Sequence, residues 1–369
     1  MFELKAATAF CYRIFDVGEG LDLERARAMV AANASRVQLT REGSEYIQLS
    51  NPPLSFEVGK RTLNLKDGPH EVEVAVRLFD HGAVSVLLRL TIPAGTSLEA
   101  LVPLSDDLSD SPAIEALAQE VMGVTRTSIA AAIQDPHLWE KNEGYTVFRV
   151  REIEGNPTAK QVLEAPELPR LLLGEAREKH LSKAETRDVL SQAFSYTESD
   201  LAVIDWNCAF LYEPVHFGAN DVADLLEIAN AQLLEFRYYD DVLDKELNRV
   251  YEAIEQKKGS VPLLRSPYKK LLREVMLTLI EMSELIERIE NSLRIVADVY
   301  LARVYEAAVT QLRIPQWQVQ VQRKQKLLSQ TYELLKGEVD TGRALTLEVM
   351  VVVLIVLEIV VALTGFFPH

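Results

Sequence analysis

The segment Arg343–His369, RALTLEVMVVVLIVLEIVVALTGFFPH, decides how the rest of the chain is read. Between Leu345 and Phe367 it is almost wholly apolar, with only Pro368 and His369 after it. That is long enough to cross a hydrocarbon core of about 30 Å as a helix. A single C-terminal transmembrane helix over residues 343–369 is therefore expected. Two carboxylates interrupt the run, Glu348 near the entry and Glu358 close to the middle. A carboxylate at mid-span costs roughly 2.5–3.5 kcal/mol on insertion scales, so Glu358 is read as a buried interhelical contact or part of a ring of carboxylates in an oligomer. The alternative is a protonated Glu tolerated in a marginal anchor, and Glu348 is placed with Glu358 as a membrane-helix contact residue. They stand about 15 Å apart along the axis and off a common face, which gives them separate partners.

Working outward, Lys336 and Arg343 flank the near side of the span and no Lys or Arg follows it. The positive-inside rule then puts the bulk of the chain in the cytoplasm, with one membrane crossing. The opening MFELKAATAFCYRIFDVGEG lacks the basic and apolar regions of a signal peptide. A net charge of −16 argues against a nucleic-acid partner, because phosphate-backbone binding is driven by clustered Lys and Arg. The two cysteines, Cys11 and Cys208, show no CxxC spacing and read as buried thiols in a reducing compartment.

Residues 220–342 carry a helical pattern. Val222, Leu226, Ala229, Leu233, Phe236, Leu243, Leu247, Val250 and Ile254 alternate at steps of four and three, with Asp240 the polar member of the seam. Pro262 and Pro267 interrupt it. The seam resumes at Tyr268, Leu272, Val275, Leu279, Met282, Ile286, Ile289, Leu293, Val296 and Tyr300, and a weaker stripe from Val321 to Val339 follows Pro315. This predicts a long coiled-coil stalk, in which Asp240 would set register at some cost in stability. The same pattern would be satisfied by three helices packing within one chain. Lys257, Lys258, Arg265, Lys269, Lys270 and Arg273 crowd the hinge between the first two stalk helices. In an antiparallel three-helix hairpin that hinge would lie near the membrane, facing anionic lipid; a solvated hinge is the alternative.

Residues 1–215 read as an α+β or α/β head. Strands are expected over Ala6–Phe15, Tyr46–Leu49, Leu54–Val58, His70–Phe79, Ala83–Ile92, Tyr145–Ile153 and Leu201–Tyr212, with a hairpin at His81-Gly82. Helices are expected over Asp22–Ala34, Ser109–Ile133 and Ser182–Ser195, the last with Glu185 at capping-box spacing from Ser182. Residues 154–169, with three prolines, read as a surface connection.

No motif points to catalysis. His70, His81, His137, His180, His216 and His369 form no paired metal spacing, Gly18-Glu19-Gly20 lacks the third glycine of a dinucleotide fingerprint, and neither GxSxG nor a P-loop is present. The run Tyr238–Asp244 could hold a divalent cation, but such a run more often forms a solvated helix face with Arg237 pairing Asp241. No catalytic residue, cofactor or metal is expected.

The string Arg343-Ala344-Leu345, Leu347-Glu348, Met350, Leu354-Ile355 and Glu358 resembles the closing signature of the family named for its requirement in meiotic nuclear division, also described as the domain of unknown function 155 family. VQVQRKQKLLSQTYELL resembles that family's penultimate helix, so the likeness covers roughly the last fifty residues; Val349 stands where the family usually has a tryptophan. The resemblance implies an α/β head, a coiled-coil stalk and one C-terminal membrane helix. It implies a role like that of eukaryotic members, which sit at mitochondrial membranes and support organellar translation. A weaker architectural likeness is to CorA-type magnesium channels, although their Gly-Met-Asn signature and second span are absent.

The expectation is a non-enzymatic, membrane-anchored scaffold. It would form homo-oligomers through stalk and span and present the head to a protein partner. The alternative is an oligomeric ion pathway with Glu358 facing the pore.

Overall fold

The computed structural model describes residues 2–30, 34–37, 47–49, 51–175, 181–213, 220–255, 268–295 and 299–364. The protein is a mixed α/β molecule, with an N-terminal sheet domain and C-terminal helices. It divides into two compact units, Met1–Tyr238 with Glu287–Trp317 and Tyr239–Ile286 with Gln318–His369.

The first unit is organised on a ten-stranded sheet. In chain order it opens with β1 (Glu3–Asp16), β2 (Gly18–Leu21), α1 (Leu23–Met29), β3 (Ser35–Arg36), β4 (Ile47–Leu49), β5 (Leu54–Leu65), β6 (Gly68–Leu78), β7 (Ala83–Ile92) and β8 (Thr96–Ser97). There follow α2 (Leu101–Ser109), α3 (Pro112–Ser128), β9 (Ile133–Pro136), β10 (Glu143–Ile153), α4 (Ala159–Leu163), α5 (Glu167–Leu173) and α6 (Lys183–Val189). Then come β11 (Ala193–Phe194), β12 (Leu201–Ile204) and β13 (Cys208–Tyr212). The order across the sheet is β11-β12-β13-β10-β1-β7-β6-β5-β3, with β8 also on β1. Among the described residues its pairings are antiparallel except β10 with β13, which is parallel.

The expected hairpin at His81-Gly82 joins β6 to β7. Gly82 sits at φ +108°, and a Cβ there would lie 1.8 Å from the Gly18 carbonyl oxygen, so only glycine lets the β1–β2 corner close on this turn.

Strand alternation gives the sheet two faces. Ala9, Cys11 and Phe15 of β1, Val74 and Val76 of β6 and Phe148 of β10 join Leu101, Leu108, Ile114, Leu168 and Leu171 in one core beneath α2, α3 and α5. The opposite face, with Tyr12, Arg77, Ser85, Tyr145 and Arg149, meets α7 (Asp221–Glu255).

Several local expectations are refined. The helix expected over Ser109–Ile133 is α3, which starts at Pro112, where the missing N–H leaves no bond unmade, and ends at Ser128; α2, over Leu101–Ser109, is a further helix before it. The connection at 154–169 contains α4, closed by a Thr158/Gln161 capping box, and α5, whose Leu168, Leu171 and Leu172 are buried. Leu201–Tyr212 is a hairpin rather than one strand, folding at Asp205–Asn207. Ser182 accepts a bond from the Glu185 backbone N–H at 3.1 Å, as the capping spacing implies.

The C-terminal helices depart further from an uninterrupted pattern. Every residue of α7 from Asp221 to Phe236 is buried, so this half of the helix is interior on all sides. After α8 (Lys269–Ser292) the chain does not continue as helix to Tyr300. Leu293–Ile295 forms β14, paired antiparallel with Ile47–Leu49, before α9 (Val299–Gln311). Heptad spacing cannot register such a switch, because Leu293 satisfies either structure. The helix α10 (Ile314–Thr364) then runs for 51 residues.

The second unit is three helical segments with their own core: Leu243, Leu247 and Val250 of α7, Leu271, Val275 and Met282 of α8, and Val321, Leu328, Leu335 and Val339 of α10. Most of these are seam positions, and they are buried within a single chain.

Candidate functional site

The helix α10 is long and apolar enough to cross a membrane. From Leu347 to Val361 each residue is exposed, among them Val353, Leu354, Ile355, Val356 and Leu357, and both Glu348 and Glu358 lie in this stretch. Thus the two carboxylates share an uncovered helix with some of the most apolar residues of the chain.

Nearer the start of α10 the second unit is held by ion pairs. Asp240 and Asp244 both receive Lys324 at 2.7 Å, and the expected register residue Asp240 is thereby tied to α10 of its own chain. Burial opposes the Lys324 charge, yet the two aspartates outweigh it and raise its pKa. Arg249 reaches Glu274 of α8, and Gln325 donates to Ser283 at 3.1 Å. Of the basic hinge, Lys257, Lys258 and Arg265 lie outside the described residues; Lys269 begins α8, while Lys270 and Arg273 are exposed. His180, His216 and His369 also lie outside the described residues.

Sequence reading misses a charged layer in the first unit. Arg77 projects from β6 onto α7, where its Nη1 bonds Asp224 at 2.7 Å and also Glu227. Arg149 of β10 reaches Glu213 at 3.0 Å and Asn220, and Arg237 of α7 reaches Glu143. Burial dominates the titration of this layer. It raises the Glu227 carboxyl against the pull of Arg77, and it pushes Glu143 up to about 7 despite Arg237. One signal is legible: Asp224 and Glu227 stand three apart on a helix, and Arg77 is the lone charge in VAVRL.

At one end of the sheet His137 bonds the wholly buried Asp16 at 3.0 Å and stacks on Tyr238 with ring centroids 4.5 Å apart. Trp139 meets the same tyrosine edge-on. Burial disfavours the charged imidazole, but Asp16, with help from Glu19, overrides it and raises the His137 pKa.

Both thiols are buried, and burial raises their pKa values, Cys11 to about 11. Among the described residues no group of three His, Cys, Asp or Glu side chains could hold a metal ion.

These features define a sheet protein of mixed α/β class followed by helices, one of them apolar enough to span a membrane. Residues 6–218 match the family described as "Uncharacterized protein MJ0711, N-terminal domain", and the chain belongs to that family. It is similar to "Uncharacterized protein MJ0711" of Methanocaldococcus jannaschii, 27% identical over 176 residues, covering 48% of this chain and 53% of the relative. The chain thus spans about half the length of the curated relative it matches. No solved structure matches it.

Proposed function

We propose that this chain is a non-enzymatic, membrane-anchored scaffold that self-associates and presents its sheet domain to a cytoplasmic protein partner. The observation that carries the reading is the inversion along α10. Its first half is packed through Val321, Leu328, Leu335 and Val339, while the apolar stretch from Leu347 to Val361 is uncovered. A consecutive exposed run of this length and composition needs a non-aqueous environment.

Self-association is proposed through the span and the outer surface of the helical unit. The seam positions Leu243, Leu247, Val250, Val275 and Met282 are buried within the chain, but Glu358 still calls for a partner inside a bilayer. Outward Met276, Leu277 and Ile280 of α8 and Leu327 and Leu334 of α10 add apolar surface where coiled-coil contacts between chains could form. The likeness of the last fifty residues to the domain of unknown function 155 family supports the same architecture, and with it a role resembling support of organellar translation. An ion pathway would need polar side chains along the span, and from Leu347 to Leu363 only Glu348 and Glu358 are polar.

Light scattering of the detergent-solubilised chain tests self-association: an oligomer is expected, and a monodisperse monomer would refute it. Glu358→Leu should weaken association in membranes; unchanged association would reduce the span to an anchor.

A further inference from the structure

The helix α10 carries a second line of residues on the side away from its packed face. Leu328, Leu335 and Val339 are buried in the second unit. About 160° round the helix from Leu335 stands Gly337, where an added Cβ would meet nothing within 4 Å. A glycine inside a helix weakens it relative to alanine, and no described residue of this chain uses the space that the missing side chain leaves. Steps of three and four run through Gly337 in both directions. They lead back to Leu334 and Leu327, and forward through Thr341 and Ala344 to Glu348. Past Glu348 the same steps reach Val351, Ile355 and Glu358. All of these positions are exposed, Leu334 at 73% and Val351 at 54%. Thr341 donates its hydroxyl to the Gly337 carbonyl at 2.8 Å, so this small-residue stretch of the line leaves no hydroxyl unmet.

On a straight helix Glu348 and Glu358 stand about 80° apart. Their spacing is one heptad plus a step of three, however, so on a supercoiled seam both take inward positions, at two separate levels. Lipid does not cover this line along its length. Leu334 lies about 16 Å before Leu345, where the apolar run begins, and Leu327 lies farther back. The cover is therefore a helix that runs beside α10 across the membrane boundary, and Glu358 asks for protein within the bilayer. Two copies that enter the membrane from the same side hold their α10 helices parallel, so each residue of the line meets its own copy. Glu358 then faces Glu358, and a carboxyl carrying a proton hydrogen-bonds the carboxylate opposite. From Leu327 to Glu358 a contact strip about 47 Å long and about 11 Å wide covers about 500 Å² of each copy. The total, about 1,000 Å², is the size a specific interface needs.

We propose that the line from Leu327 to Glu358 is the seam along which two copies of this chain pair in parallel, with Gly337, Thr341 and Ala344 letting the two backbones approach just before the bilayer. Glu333 and Asp340 border the line, so apolar fit rather than charge attraction holds it. The second copy supplies the cover of Leu334, and the loss on Leu334→Ala therefore depends on whether that copy is bound. This inference rests on the readings of α10 as a span and of the chain as self-associating.

The test uses the full chain in phosphatidylcholine vesicles, with cysteines introduced singly and oxidised by copper phenanthroline. Cys11 and Cys208 are buried, and the unsubstituted chain reports their background. Leu334→Cys, Ala344→Cys, Val351→Cys and Ile355→Cys should form a disulfide-linked dimer roughly tenfold faster than Val349→Cys and Val353→Cys, which lie off the line. All six positions are exposed, so none of the substitutions removes a core contact. About 0.5 M salt should leave this pattern unchanged or strengthen it. Equal rates at all six positions overturn the seam, as does faster linkage at Val349→Cys or Val353→Cys. Linkage within the bilayer but not at Leu334→Cys also overturns it, because the contact would then belong to the span alone. Loss of linkage in salt would assign the contact to ion pairs and overturn it too. Light scattering in detergent reports self-association separately: an oligomer whose linkage lies off the line refutes the seam alone, whereas a monomer refutes self-association with it. Release from the vesicles by an alkaline wash refutes the span itself.

Discussion

Two helical stretches of this protein reverse the usual distribution of charge and apolar surface. Residues 221–236 of α7 include Asp221, Asp224, Glu227 and Glu235, and all are buried; residues 347–361 of α10 are nearly all Val, Leu and Ile, and all are exposed. Part of the first stretch's charge is met internally, where Arg77 answers Asp224 and Glu227 from the facing strand. Nothing among the described residues buries the second. The buried charge thus has an ion-pair partner inside the fold, while the uncovered apolar surface needs an environment still to be supplied.

The largest effect that would break this contrast is the removal of Arg77. Arg77→Met leaves Asp224 and Glu227 facing an apolar side chain in the interior, which should destabilise the first unit by about 3–5 kcal/mol. Thermal unfolding of the full chain in detergent micelles reads this as a fall in Tm. Adding Asp224→Asn and Glu227→Gln to Arg77→Met should recover most of the loss, because the penalty lies in the uncompensated charges. Failure to recover would show that Arg77 acts through packing instead.

A second test sharpens the boundary between covered and uncovered surface on α10 itself. Leu328 is fully buried and Leu334 is 73% exposed. Leu328→Ala should cost about 2–5 kcal/mol, whereas Leu334→Ala should stay within about 0.5 kcal/mol if nothing covers it. Comparable losses would mean that a second copy buries Leu334.

How much of this can be read from sequence follows the range of the interaction involved. The alternation in β6 and β7, the turn at His81-Gly82 and the apolar run after Leu345 are local patterns, and each is legible. The seam from Leu243 to Val250 is legible too, but spacing specifies only that a side chain is covered. It does not say whether the cover comes from the same chain. The interior half of α7 reads as stalk because heptad and all-round burial share the same apolar positions. What distinguishes them is the pairing of Arg77 with Asp224, 147 positions away, and no periodicity carries that information. Likewise Leu293–Ile295 keeps the helical spacing while pairing as a strand with Ile47–Leu49. The cluster of His137 with Asp16 and Tyr238 joins three distant segments and leaves no local trace.

That cluster yields the smallest effect and a test of whether the charged interior is tuned as well as paired. The folded His137 has a raised pKa because its hydrogen bond to Asp16 and the negative charges of Asp16 and Glu19 outweigh burial. The folded state therefore holds the proton more tightly than the unfolded chain does. Its contribution to stability is fully present below the unfolded histidine value of about 6.5 and is lost as pH rises through the higher folded value. Glu143 tilts stability the same way at lower pH: its carboxyl, pushed up to about 7 by burial, favours the protonated folded state, so stability declines as pH rises from the ordinary carboxylate range toward 7. The two contributions separate by substitution. His137→Gln should flatten the decline above pH ~6.5 and leave the lower part, while Glu143→Gln should do the converse, with Tm followed across pH. A decline in the upper range that survives His137→Gln would place its origin in another group and leave the Asp16 pairing without energetic weight.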